Sequence, residues 1–151
     1  MGARADAEAD RVLDATPEQV WAQIADGRRV AAWWPLAERA EDVQGGRFTL
    51  VLRSSRGVPV RTDWRVVVSR RPDRQRWEQD LAGTPFAGTL RRSAVELRLE
   101  PADGGRCRVT VAVEREMTRG GLAARVFGRR AARRHAGDAA ARLARAVAAA
   151  G

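Results

Sequence analysis

Few side chains in this sequence have chemistry to offer, and most of them are arginine. Arg115 follows Val109, Val111 and Val113 in steps of two, so on an extended strand its guanidinium shares the side of three valines. An isolated charge among apolar groups is costly. It must reach solvent near the strand end, pair with an acid, or meet an anionic group of a ligand, and reaching solvent is the commonest outcome. Ser93 stands beside a break in strand phase and is the one serine placed to approach the same interior. Asp63 completes a small group of polar candidates that could handle a proton there. Their spacing defines no catalytic set.

The remaining reactive residues lead away from metal, cofactor and covalent chemistry. His135 is the single histidine and has no neighbouring cluster of acids, so no metal site is expected. Cys107 is the single cysteine, lies in an alternating apolar run, and reads as a small strand residue. Ser54 and Ser55 lie in a hairpin loop without a nucleophile elbow. The pairs Gly45–Gly46 and Gly104–Gly105 do not continue as a phosphate-binding loop. No cofactor is expected.

Charge is unevenly distributed. The chain of 151 residues carries a net +9, yet the stretch from Arg119 onward holds eight arginines against one acid, Asp138. Lysine, asparagine and tyrosine are absent. Their codons are A/T-rich, so a high-GC bacterial genome is the simplest explanation of an all-arginine basic set. Within "RRAARRHAG" (129–137), Arg129 and Arg133 extend backward the apolar stripe of Ala136, Ala140, Leu143, Ala144 and Val147. They could overhang a pocket entrance and hold a carboxylate or phosphate; a bend at Gly128 would turn them into water, and solvation is the preferred reading. No nucleic-acid-reading module surrounds them, so no specific nucleic acid is expected. A basic helix could still touch an anionic membrane or an acidic partner. No run of about eighteen apolar residues is present, and residues 1–10 lack a secretory apolar block, which makes a cytoplasmic location the expectation.

The elements that must position these groups are legible. Residues 1–7 are small, polar and aperiodic and are expected to be a disordered N-terminus, with one domain over 8–151. Ala9–Ala15 reads as a short strand. Thr16, Pro17 and Gln19 form a helix start with a capping box, and Val20, Trp21 and Ile24 give the helix its apolar face. A second short helix ends at Trp34 before Pro35. Alternation then predicts strands with Phe48, Leu50 and Leu52, with Val60, Thr62, Trp64, Val66 and Val68, and with Trp77 and Leu81 facing inward. Phe86, Gly88 and Leu90 are even-numbered whereas Val95, Leu97 and Leu99 are odd, so a bulge is required near Arg91–Ala94. "PADGG" (101–105) is a turn, and a long helix runs to the C-terminus. The fold class is α+β: helices on one face of an antiparallel sheet.

"ATPEQVWAQIAD" (15–26), "WWP" (33–35), "GGRF" (45–48), "LEPADGGRCRVTV" (99–111) and "AARLARAVAAA" (140–150), in that order, resemble the START-related SRPBCC helix-grip superfamily, in its polyketide cyclase/dehydrase and lipid-transport branch. The resemblance implies a curved antiparallel sheet wrapped around a long C-terminal helix, with two short helices after the first strand and an apolar cavity between sheet and helix. It implies binding, and by extension transport, of a hydrophobic or amphipathic molecule such as a lipid or polyketide. The alternative is a cyclase or dehydratase using the same cavity, and a third reading is interaction with a protein or ribosome through the basic helix. The expected wall comprises Trp33, Trp34, Phe48, Leu50, Trp64, Val66, Trp77 and Phe86, closed by Phe127 from the helix, with Ser93, Arg115, Arg129 and Arg133 as polar contacts. One of Trp33 and Trp34 should plug the core while the other faces the cavity.

Overall fold

A computed structural model describes residues 2–151 of the chain. Local signals fix its first helix, α1 (Pro17–Ile24). The Thr16 hydroxyl accepts from the Gln19 N–H at 3.2 Å, and the Gln19 side chain accepts from the Thr16 N–H at 2.9 Å. Two of the otherwise orphaned donors at the helix start are thereby satisfied. Val20, Trp21 and Ile24 are buried as their spacing requires. A 3-10 turn, Gly27–Ala32, follows, capped by Asp26.

Eight strands make one antiparallel sheet: β1 (Ala3–Arg4), β2 (Ala7–Leu13), β3 (Ala37–Gln44), β4 (Arg47–Arg53), β5 (Pro59–Arg70), β6 (Arg74–Gln79), β7 (Leu90–Ala102) and β8 (Arg106–Met117). Their order is β1-β8-β7-β6-β5-β4-β3, and β2 also pairs with β8. The helix α2 (Leu122–Ala150) packs against β2 and β8. The architecture is the helix-grip arrangement expected.

Two expectations about elements are corrected, and one strand had not been expected. The N-terminal segment is ordered from its third residue: Ala3 and Arg4 pair with Met117 and Glu116, and Ala3 and Ala5 are buried. Met1 lies outside the described residues. The strand expected at Ala9–Ala15 runs from Ala7 to Leu13. An unforeseen strand, β3, pairs with β4 through two register shifts; its sequence AERAEDVQ has no apolar alternation because it forms the far edge of the sheet. The expected bulge is present between Leu90 and Arg92.

The first half of α2 approaches the sheet through small residues. A Cβ on Gly128 would lie 2.9 Å from the Ala5 Cβ and 3.0 Å from the Met117 Cε, so a side chain there would push the helix away. Ala132, Ala136, Ala139, Ala140, Leu143 and Val147 continue this buried stripe. On the sheet's other face, Glu96 is buried and accepts from Arg74 at 2.8 Å and from Arg98 at 3.1 Å, while Arg76 pairs with Glu114. These outer-face arginines all have carboxylate partners.

Candidate functional site

Between the sheet and α2 lies a cavity of about 300 Å³. Its wall is mainly apolar and comes from separate elements: Trp34 after the 3-10 turn, Leu52 on β4, Trp64 on β5, Leu90, Ala94 and Val95 on β7, and Val113 on β8. Phe86 reaches it from a second 3-10 turn, Pro85–Gly88. Polar groups enter at four places besides Thr62: Gln79, Ser93, Arg115 and His135. Thr62 has no proton to offer a ligand, because its hydroxyl donates to the Leu50 carbonyl at 2.9 Å while accepting from the Trp64 indole at 2.8 Å.

The core beside this cavity is an aromatic cluster. Trp77 stands at its centre, with ring centroids 5.6 Å from Trp33, 5.9 Å from Trp34, 5.2 Å from Phe48 and 6.1 Å from Trp64. Edge-to-face geometry prevails, the arrangement that aromatic quadrupoles prefer. The two adjacent tryptophans divide the work. Trp33 is fully buried and donates its indole N–H to the Gln23 carbonyl at 3.3 Å; Trp34 lines the cavity.

Arg115 points inward, as the strand phase demands, and pairs across the ladder with Ser93. Its Nη2 lies 2.8 Å from Nδ1 of His135. A guanidinium can only donate, so this hydrogen bond assigns the lone pair to Nδ1 and the imidazole proton to Nε2. Burial, reinforced by the charges of Arg115 and Arg134 and opposed by Asp138, lowers the His135 pKa to about 4. Desolvation also lowers the pKa of Arg115. The imidazole is therefore neutral near pH 7, and the guanidinium has no carboxylate partner among the described residues.

Several expected wall residues stand elsewhere. Trp33, Phe48, Leu50 and Trp77 belong to the packed core and not to the cavity surface. Val66 and Phe48 edge a separate, wider depression of about 510 Å³ beside Gly27, Gly45 and Gly46; it is more open and polar, with Asp26, Arg28 and Arg47 at its border, and encloses less. Phe127 is 65% exposed, and Arg129 and Arg133 are exposed as well. Gly128, Ala132 and Ala136 set the inward face of α2, and at about 100° per residue their neighbours turn away. The helix runs unbroken through Gly128. Asp63 is exposed and bound to the Thr49 hydroxyl.

His135 is not among the site residues expected from the sequence. It lies three positions after Ala132 and four before Ala139, spacings that share a helix face, and that is the available signal. Cys107 is fully buried, and burial raises its thiol pKa, as befits an unreactive strand residue. Among the described residues no group of three or more metal-ligating side chains is assembled.

The model of the family described as polyketide cyclase / dehydrase and lipid transport matches residues 4–150. The chain belongs to that family. No protein of curated function matches its sequence. Solved structures share its fold at low identity. A conserved protein from Geobacillus kaustophilus is 16% identical, with a TM-score of 0.74 and 96% of each chain covered. TTHA0849 from Thermus thermophilus is 19% identical with a TM-score of 0.73, covering 96% of this chain and 98% of that one. The Zhui aromatase/cyclase from Streptomyces sp. R1128 is 16% identical with a TM-score of 0.72, covering 96% and 94%.

Proposed function

We propose that the chain binds a compact apolar or amphipathic small molecule in the cavity between its sheet and α2. The observation that carries this reading is the largely apolar wall of Trp34, Trp64, Phe86, Val95 and Val113, interrupted by Thr62, Gln79, Ser93, Arg115 and His135. Apolar area contributes about 25 cal/mol per Å² buried, and a few polar groups fix orientation. At about 300 Å³ the space is at the lower end for small-molecule sites. It suits a fused-ring or single-chain ligand better than a two-chain lipid. Calorimetric titration with hydrophobic probes tests the reading, alongside a Leu90→Trp variant that fills the cavity. Binding by the native chain and its loss in the variant support it; equal binding by both contradicts it.

A second reading, a polyketide cyclase or dehydratase, is supported by the family description and by the polar groups at the end of the cavity. His135 is poorly placed as its base, since Arg115 occupies Nδ1 and the other nitrogen carries the proton. Turnover of a supplied poly-β-keto substrate would favour this reading over simple carriage.

Contact with an anionic membrane has its own support. Leu122 is 77%, Val126 45% and Phe127 65% exposed, on the first turns of α2 among Arg119, Arg125, Arg129 and Arg130. Apolar side chains flanked by arginines suit the interface of a negatively charged bilayer. Among the described residues no helix is long and apolar enough to cross one.

A further inference from the structure

We infer that the cavity selects an anionic ligand, a carboxylate joined to an apolar body, and that Arg115 is the residue that takes the carboxylate. This deepens the proposed binding function and rests on it. The fold treats its arginines unequally. Arg74, Arg76 and Arg98, on the outer face of the sheet, each engage Glu96, Glu114 or Glu8. Arg115 alone on the cavity wall meets no acid among the described residues; its one side-chain partner is a neutral imidazole.

A desolvated cation without a counter-charge is unfavourable. The site nevertheless holds it in place: the His135 Nδ1 accepts one N–H at 2.8 Å and leaves the rest of the guanidinium fork uncommitted. A planar fork of N–H donors matches the two oxygens of a carboxylate. Two further donors border the same space. Among the described residues neither the Nε2–H of His135 nor the Ser93 hydroxyl, cross-strand from Arg115, has a hydrogen-bond partner. These three donors stand together, Arg115 bonded to His135 and opposite Ser93, in a cavity whose other polar lining groups are Thr62 and Gln79. A cationic ligand would be repelled there, and a neutral one would leave the guanidinium unpaired.

His135 acts here as a positioning residue. It orients the guanidinium without neutralising it, which a carboxylate in its place would do. The cavity thereby keeps a positive charge available for the ligand.

The test compares 2-naphthoate with 2-acetylnaphthalene, which has nearly the same shape and no charge, by calorimetric titration at pH 7. Charge-assisted hydrogen bonds are roughly twice as strong as neutral ones. The native chain should therefore bind the naphthoate at least about tenfold more tightly. Arg115→Gln should abolish that preference, and Arg115→Lys should restore part of it. Equal affinities in the native chain, or a preference that survives in Arg115→Gln, would overturn the assignment while leaving apolar binding intact. Binding of neither probe would overturn the cavity function and the assignment with it.

Discussion

Arg115 on β8 and His135 on α2 meet at 2.8 Å across the gap between sheet and helix, a cation held by a neutral ring. The contact ties the C-terminal helix to the sheet at the end of the cavity, and it makes the protonation state of His135 matter to both.

Acid should therefore destabilise the fold in two stages. With its folded pKa near 4, His135 takes up a proton in the unfolded chain at a higher pH than in the folded one, so stability falls as pH drops from about 6.5 toward 4 and is not lost further below that. Allowing for the partial exposure of the ring, the loss is about 1–2 kcal/mol. Glu114, held low by its hydrogen bond from Arg76, contributes stability above its ordinary range that disappears at still lower pH. Glu96 behaves likewise, because its hydrogen bonds and ion pairs with Arg74, Arg98 and Arg76 outweigh the upward push of desolvation. Urea denaturation against pH should show both stages in the native chain, and His135→Gln should lack the first.

The adjacent tryptophans should separate in mutation. Trp33→Ala opens a hole in a sealed core and should cost about 3–5 kcal/mol in denaturant unfolding. Trp34→Ala borders space that already exists, so its stability loss should be smaller and its effect on ligand affinity larger. Comparable losses in both variants would contradict the division between plug and wall.

Gln75 is 2% exposed, faces the interior from β6 opposite Leu97, and its Oε1 has no hydrogen-bond partner. An unsatisfied buried carbonyl costs about 1–3 kcal/mol. Gln75→Met, close in volume and shape, should raise the midpoint of thermal unfolding; a fall would mean that the amide is satisfied in solution.

Sedimentation with vesicles tests the exposed turn of α2. Binding to phosphatidylglycerol vesicles should exceed binding to phosphatidylcholine vesicles, weaken with salt as charge screening requires, and drop severalfold in Phe127→Asp. Equal binding to both lipids, or none, would remove the membrane contact from the account.

The sequence was most informative where one local rule decided the outcome. The Thr16–Gln19 capping box, the inward phase of Arg115 and the bulge beside Arg91 all follow from spacing over a few residues, and all are present. It was least informative where packing distance decided. β3 shows no alternation because it is an irregular edge strand with two register shifts, and Phe127 was expected to close the cavity from the helix. Gly128 and Ala132 claim that face instead, since the helix must come close to Ala5 and Met117. Which aromatics fill the core and which border a void depends on sub-ångström volume in three dimensions, and periodicity carries none of that information.

The most direct test of the account is a methyl-resolved NMR titration of the native chain with 2-naphthoate. Intermolecular contacts are expected from the naphthalene ring to the methyls of Leu90, Ala94, Val95 and Val113, which border the cavity. Contacts confined to Leu122 and Val126 on the outer turn of α2, or no contacts at all, would contradict it.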